Sequence, residues 1–254
     1  MKNLSEKLIP RQSIDYWGAV KAFAILSVKK DDLTQALNLV TSLNGNSAAP
    51  AAYRFFASDF GQHLLANPNY LAPLFDRDYL LSLPQGSLGR VYAQSLIEEG
   101  LNPECLQESD TQSNSEFGQF RHSHPEYFIF GRMFNHTHDL YHTITGYGRD
   151  LIGEAALLKF TAKSLGGRGS NVLSELIALR VRALRPLWPT GKIMSFAKTM
   201  AAGAPGMAVT DVLPLLPLQL WEARRVLNIR PDPYYASISK DEIAKVMFSE
   251  KALA

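Results

Sequence analysis

The sequence predicts a mostly α-helical fold. Apolar residues recur at helical spacing in most segments, helix start and stop signals bracket these segments, and strict two-residue alternation is scarce. The chain has 254 residues, of which 46% are hydrophobic and 20% charged, so it is long enough to bury a sizeable core. We therefore expect a single multi-helix globular domain over residues 1–254.

Two segments carry signals at both helix ends. One opens with acidic residues at Asp31, continues with leucine, alanine and valine at helical spacing, and stops near Gly45. The other has Ser87 as its candidate N-cap and Gly100 just past its end. Both segments are therefore predicted to be amphipathic helices.

A third helix and two loops are predicted further along the chain. The helix runs from a Ser170 cap to Pro186. Residues 107–119 are polar and are the best linker candidate, and "GGRGS" at 166–170 is predicted to be an interhelix loop. It is a poor phosphate loop because no strand precedes it and no lysine follows in the Walker position.

Charge and cysteine content exclude several classes of protein. Lys and Arg total 26 against 24 Asp and Glu, so the net charge of +2 lacks the concentrated basic patch of a nucleic-acid-binding protein. Cys105 is the only cysteine, which rules out an internal disulfide, and residues 1–20 do not resemble a signal peptide. We expect a cytoplasmic protein with no nucleic-acid partner.

Residues 199–221 are nearly as apolar as a membrane-spanning helix. Asp211 lies near the middle of this stretch, and Pro205, Pro214 and Pro217 would each break a helix where lipid offers no hydrogen bonds. We therefore expect a buried core segment with helix breaks. The alternative is a surface that docks onto a membrane or an apolar ligand.

Residues 135–145 form an amphipathic helix whose polar side is rich in metal-binding side chains. His138 and His142 are four residues apart, so their rings lie on successive turns and can converge on one ion. Asp139 lies beside them. His136 points roughly 200° away from His138 on an intact helix and is left out of the site.

Glu154 can join this group only if the chain turns. Twelve residues of unbroken helix would place it about 18 Å from His142. Gly146 and Gly148 can end the first helix, and a second helix would then point Glu154 back toward the histidines. The result would be a metal site on a helical hairpin. Spacing alone leaves a second interpretation open, namely a solvated helix face and an ordinary first-turn acid.

His138, Asp139, His142 and Glu154 form the pattern H-D-x-x-H-x(11)-E, which resembles the zinc motif of the coenzyme Q biosynthesis protein four family. Two further segments resemble that family. "LPQGSLGRVYAQSLIEEGL" is similar to its P-x-G-[ST]-L-G segment, and "LWEARRVLNIRPDP" to its C-terminal W...R..L.I segment. His136 and Arg149 depart from bacterial members, which carry Gln and Thr there. The resemblance spans most of the chain.

This resemblance implies a bacterial protein in ubiquinone biosynthesis, peripheral on the cytoplasmic side of the inner membrane. The implied activity is oxidative decarboxylation of a polyprenylated hydroxybenzoate-derived ring at its carboxylate-bearing carbon. The implied cofactor is a divalent metal, with zinc first and iron or manganese also compatible with two imidazoles and two carboxylates. Implied partners are the ring substrate, the membrane surface and other ubiquinone-biosynthesis proteins, and a homodimer is also open.

Two alternatives remain at this point. The first is a non-catalytic scaffold that binds prenyl lipid and uses the metal as a structural clamp. The second is a metal phosphohydrolase of the His-Asp doublet kind, for which His122 or His124 together with Asp150 could supply further ligands. Both histidines are predicted to lie in a loop before Pro125.

Overall fold

Helices make up nearly all of the regular structure. A computed structural model describes residues 8–29, 32–101 and 117–245, and no strand occurs within these ranges. The only extended pairing found there is an isolated antiparallel bridge between Ser87 and Gln219. The mostly α-helical prediction is confirmed.

The helices vary from one turn to nearly six turns. In chain order the described α-helices are α1 (Tyr16–Val28), α2 (Leu33–Asn44), α3 (Ala49–Ala57), α4 (Asp59–Ala66), α5 (Arg77–Ser82), α6 (Leu88–Glu98), α7 (Pro125–Thr145), α8 (Leu151–Leu165), α9 (Arg168–Leu184), α10 (Thr190–Gly203), α11 (Leu220–Val226), α12 (Pro233–Ala236) and α13 (Lys240–Ala244). Short 3-10 helices cover Ala72–Leu74, Gly118–Phe120, Met207–Val209 and Leu213–Leu215.

The chain divides into two compact units that interleave along the sequence. The first unit combines residues 1–10, 50–145 and 204–230, and the second combines 11–49, 146–203 and 231–254. No unit boundary falls near the polar stretch 107–119. Within that stretch, residues 107–116 lie outside the described residues. The single domain over residues 1–254 stays a prediction.

Two of the predicted helices have the expected ends. α2 ends at Asn44 and is followed by Gly45, and the Asp32 carboxylate caps its start by accepting from the Gln35 N–H. Ser87 is the residue before α6, as predicted, although its hydroxyl does not cap the helix. These helix ends follow from residues within a few positions of them.

The predicted Ser170 cap is wrong, because α9 begins two residues earlier at Arg168. Distant side chains supply the capping acceptors. Asn44 Oδ1 accepts from the Gly169 N–H at 2.8 Å, and Ser47 Oγ accepts from the Arg168 N–H at 3.0 Å. Only Gly166 and Gly167 of the predicted loop therefore lie outside a helix.

In the first unit, α7 is held on one side by apolar packing. Its buried side chains include Met133, Thr137, Leu140, Tyr141 and Ile144, which the 3.6-residue helical period places on the apolar side of the predicted amphipathic helix. The helix packs against α4, α6 and α11. The rigid core around it fixes which face of α7 remains for the predicted metal site.

Residues 199–221 form a segment with helix breaks, as predicted, but only eight of its 23 residues are buried and eight are exposed. They contain the end of α10, two 3-10 helices and the start of α11. The Asp211 carboxylate accepts from the Tyr70 hydroxyl at 2.7 Å and from the Leu213 N–H at 3.1 Å. Burial, together with this hydrogen bond, raises the pKa of Tyr70 to about 12. No helix among the described residues has the length and apolarity needed to cross a membrane.

In the second unit, α1 presents apolar side chains to solvent. Ala19 and Ala22 are buried, whereas Trp17 is 79% exposed and Val20 57% exposed. Tyr16 and Phe23 are exposed on the same helix. Single exposed apolar residues are normal, but four on one 13-residue helix form a continuous apolar surface.

Candidate metal centre

Three of the four predicted ligands meet on α7. His138, Asp139 and His142 each offer a ligand atom, and these atoms lie within 4.8 Å of one another. The two imidazole rings have centroids 5.0 Å apart, and His138 Nδ1 lies 3.5 Å from Asp139 Oδ1. One helix therefore gathers two imidazoles and a carboxylate without help from other elements.

This side of α7 is not a freely solvated surface. His142 is only 5% exposed, and the side chains of His138 and Asp139 are 29% and 18% exposed. The solvated-face interpretation therefore does not describe the group. Because His138 and Asp139 are more exposed than His142, a ligand can approach the group from their side.

The group fits a divalent metal in both chemistry and size. Zinc binds imidazole nitrogen and carboxylate oxygen at about 2.1 Å, so tetrahedral ligand atoms lie about 3.4 Å apart. Separations of up to 4.8 Å are wider by about an ångström or more, which rotation of the partly exposed side chains can supply. The same nitrogen and oxygen donors also suit iron(II) and manganese.

His136 lies away from this group, in agreement with the sequence prediction. It is 8% exposed, and its ring packs edge-on against Phe75 with centroids 4.6 Å apart. It is not a member of the group that gathers on α7. Its ring therefore packs within the first unit.

Glu154 lies in the first turn of α8, as predicted from the glycines that precede it. It belongs to the second unit, whereas the three α7 residues belong to the first. Its participation as a fourth ligand stays a prediction. The chain leaves α7 at Gly146, whose φ of +81° suits glycine because it lacks a Cβ.

The C-terminal end of α7 is held by a residue that sequence reasoning missed. Arg224 Nε donates to the Ile144 carbonyl at 2.8 Å, and its Nη2 donates to the Thr143 carbonyl at 3.1 Å. The last carbonyls of a helix have no partner within the helix, and the helix dipole places partial negative charge at this end. A cationic donor there therefore gains both hydrogen bonds and a favourable electrostatic interaction. Burial lowers the pKa of Arg224. This contact fixes the turn of α7 that follows His142.

The start of α8 is held by a hydrogen-bond network within the second unit. Asp150 Oδ1 accepts from the Ile152 and Gly153 N–H groups, each at 3.1 Å. The Tyr235 hydroxyl donates to Asp150 Oδ2 and accepts from the Gly148 N–H at 2.9 Å. Burial raises the pKa of Asp150 and of Tyr235. The network fixes the turn that carries Glu154.

These contacts weigh against the phosphohydrolase alternative. Both carboxylate oxygens of Asp150 already accept hydrogen bonds, from the Ile152 and Gly153 N–H groups and from the Tyr235 hydroxyl. His122 and His124 lie in the turn before α7, as predicted, and neither belongs to the group on that helix. The residues proposed as further phosphohydrolase ligands thus have other places in the fold.

The two outer segments that carried the family resemblance meet in the first unit. The Leu220 N–H of the later segment donates to the Gly86 carbonyl of the earlier one at 3.0 Å. The helices within these segments, α6 and α11, both pack on α7. The three segments of the resemblance therefore include the ligand helix and two of its supports.

Arg224 and Tyr235 could not be assigned from local patterns. Their partners lie 80 and 85 positions away in sequence, and hydrogen bonds of that range leave no periodic signal. The available hint was that Arg224 belongs to the segment "LWEARRVLNIR", which resembles the family's W...R..L.I segment.

Comparison with known proteins agrees with the motif. The model of the family described as "Coenzyme Q (ubiquinone) biosynthesis protein Coq4" matches residues 23–183. The ubiquinone biosynthesis protein COQ4 of Zygosaccharomyces rouxii is 24% identical over 225 residues, which are 86% of this chain and 65% of that protein. The COQ4 protein of Eremothecium gossypii is 29% identical over 120 residues, which are 47% of this chain and 34% of that protein.

A solved structure has a similar fold. A crystal structure of a candidate ubiquinone biosynthesis protein from Nostoc punctiforme matches with a TM-score of 0.61 and 17% identity, covering 85% of this chain and 98% of that one. The chain spans 34% and 65% of the length of the two curated relatives above. Because the family model matches more than half of its residues, the chain belongs to the coenzyme Q (ubiquinone) biosynthesis protein Coq4 family.

Proposed function

We propose that this protein acts in ubiquinone biosynthesis by metal-dependent oxidative decarboxylation. The substrate is a polyprenylated hydroxybenzoate-derived ring, whose carboxylate leaves as carbon dioxide while a hydroxyl from water takes its place and two electrons and two protons are released to an acceptor. The observation that carries the proposal is the partly buried group of His138, Asp139 and His142 in a chain of the Coq4 family. Relatives named for ubiquinone biosynthesis support the pathway.

The proposed roles of the residues follow from their donors and their exposure. His142, the most buried member, anchors the metal, while His138 and Asp139 complete the α7 part of the site. Glu154 is the proposed fourth ligand from α8. A bound divalent metal supplies Lewis-acid stabilisation of the ring carboxylate or neighbouring phenolate. Zinc carries no electrons, so with zinc the electrons of the oxidation pass to dioxygen or to a partner protein.

Glu154→Gln tests the catalytic proposal because it keeps the shape of the side chain and removes one negative charge. We expect modestly weaker metal binding and loss of decarboxylation of a carboxylated prenyl-ring precursor. Precursor that still bears the ring carboxylate should accumulate in cells that depend on the variant. Glu126→Gln is the matched control, since Glu126 lies in the first turn of α7 as Glu154 does in α8.

Ubiquinone made at the wild-type level by Glu154→Gln cells would contradict the catalytic assignment. A scaffold with a structural metal predicts another pattern. Ligand substitutions would then lower the melting temperature in step with metal loss, because structural metal binding contributes to folding free energy. Measuring metal content, melting temperature and precursor in one variant separates the two roles.

We also propose that the protein docks on the cytoplasmic face of a bacterial inner membrane through α1. The exposed aromatic residues Tyr16, Trp17 and Phe23 suit the headgroup level of a bilayer, where amphipathic rings are favoured. Trp17→Ser should reduce flotation with liposomes. Trp221→Ser is the control, because Trp221 is also exposed, at 60%, but lies on α11. Equal flotation of wild type and Trp17→Ser would contradict docking through α1.

Other ubiquinone-biosynthesis proteins and a second copy of the chain are further proposed partners. The family assignment supports the first of these. Light scattering of the purified protein measures the second directly. A mass near the 28.2 kDa of one chain at all concentrations would contradict the homodimer.

A further inference from the structure

A cleft in the second unit lies away from the group on α7. Its volume is about 360 Å³, and it is lined by the last turns of α8, the start of α9 and one residue of α10. Clefts of roughly 300–1,000 Å³ are typical of small-molecule sites. The polar side chains that line it are Lys159, Lys163, Arg168, Asn171 and Lys198.

The charged side chains that line this basic cleft are all cationic. Four of its lining residues are cationic and none is a carboxylate, although the whole chain carries 26 basic and 24 acidic residues. If basic and acidic residues were distributed evenly over the surface, some carboxylates would line the cleft as well. Like charges held close together repel one another. The four cations stay close because they lie on three helices that pack against one another. An anion in the cleft would relieve that repulsion.

One of the four cations is fixed in place and three remain available. Lys159 Nζ donates to Asn171 Oδ1 at 2.8 Å and to Glu175 Oε1 at 2.5 Å. The side chains of Lys163, Arg168 and Lys198 are exposed and form no ion pair with any residue in the described part of the chain. Three unpaired cations facing one cleft can therefore donate to a ligand.

We propose that the basic cleft binds a phosphate-bearing anion, either a soluble phosphate or diphosphate or the headgroup of an anionic phospholipid. Arg168 can donate two parallel hydrogen bonds to phosphate oxygens, and the lysines act as point charges. The cations come from α8, α9 and α10, so no Walker-type loop is involved. The proposal is independent of the metal-dependent function, because none of the predicted metal ligands lines the cleft.

The soluble source is tested by titrating the isotope-labelled full chain with inorganic phosphate and with pyrophosphate. Amide NMR signals of Gly166, Gly167 and Asn171 should shift in a saturable way. Lys163→Gln and Lys198→Gln should each weaken binding about tenfold, since a hydrogen bond to a charged group contributes about that factor. Lys240→Gln removes the same charge from an exposed position on α13 and should leave binding unchanged.

The lipid source is tested with vesicles of phosphatidylcholine, with and without phosphatidylglycerol. If a headgroup is the ligand, the added phosphatidylglycerol should increase flotation. Lys163→Gln and Lys198→Gln should remove that increase, which should also fall as salt is raised. Binding to phosphatidylcholine alone should not depend on these lysines.

Saturable binding in either arm that both lysine variants weaken supports the site and identifies the source. Binding of neither probe overturns the proposal, as does an equal loss in Lys240→Gln, which would indicate net charge alone. His142→Ala should leave phosphate binding intact. If His142→Ala loses its metal but still binds phosphate, the two proposals are independent. The metal-dependent function can then fail without the basic cleft failing, and the reverse.

Discussion

Helices α7 and α8 hold the residues of the predicted metal motif by different means. On α7, helical periodicity alone brings His138, Asp139 and His142 together. On α8, the turn that carries Glu154 is held by Asp150 and by Tyr235, a residue 85 positions further along the chain. A group that converges within one helix can be found by spacing, whereas the position of a lone ligand depends on long-range contacts.

The largest effect expected from this comparison is loss of metal from α7. His142→Ala removes the most buried donor of the group, so metal content should fall from about one ion per chain to near zero. Elemental analysis of the purified proteins measures this. His122→Ala is the control, because it removes an imidazole from the turn before α7. Equal metal in wild type and His142→Ala would remove the basis for the site.

The next effect concerns the support at the end of α7. Arg224→Gln should lower the free energy of unfolding by about 1–3 kcal/mol, since two helix-end carbonyls lose their donors. Arg225→Gln is the neighbouring control. Arg225 stacks over Trp221 at 5.4 Å, a contact for which we expect a loss below about 1 kcal/mol. Equal losses in urea unfolding would show that Arg224 has no special role in holding α7.

A smaller effect is expected at the start of α8. Tyr235→Phe removes one hydrogen bond to Asp150 and one from Gly148, and should destabilise the fold by about 1–2 kcal/mol. Tyr234→Phe, in which the neighbouring ring packs against Phe196, should change stability by no more than about 0.5 kcal/mol. If both variants melt like wild type, the α8 turn is held by the Asp150 side-chain cap without help from Tyr235.

The smallest effect is a pH dependence in the same network. Burial raises the pKa of folded Asp150 above its ordinary value of 3.8, so the folded state holds this proton more tightly than the unfolded state. The stability that this proton contributes is fully present below pH 3.8, the ordinary pKa of an aspartic acid. It is lost as the pH rises through the raised pKa of folded Asp150. Asp150→Asn should not show this loss. Urea unfolding of wild type and Asp150→Asn, from below pH 3.8 upward, measures this loss. A difference in free energy of unfolding between the two proteins that stays constant with pH would contradict the prediction.

Sequence patterns correctly predicted those features of α7 that depend on residues close together in the chain. The apolar side of α7, the exclusion of His136 and the end of that helix near Gly146 all follow from a period of 3.6 residues and from glycine chemistry. The glycine turn then placed Glu154 on the next helix, and the family motif strengthened its assignment as a ligand. Each of these predictions depends on residues less than twenty positions apart.

The errors and omissions all involve distant partners. α9 begins before Ser170 because Asn44 and Ser47 reach it from more than 120 positions away. The sequence also drew attention to residues 199–221 as a possible docking surface, whereas that stretch mixes buried and exposed residues and the helix with four exposed apolar side chains is α1. Hydropathy measures how apolar a segment is, and packing decides whether it is covered.

The contact between Arg224 and the end of α7 also sets an order of events during synthesis. Arg224 is added 80 residues after Ile144. At translation rates of about 5–20 residues per second, the carbonyls of Thr143 and Ile144 are made roughly 4–16 s before their donor exists. For that interval the ligand helix must rely on water or on transient partners at its last turn. The ribosome therefore releases the three α7 ligands well before the residue that locks their helix in place.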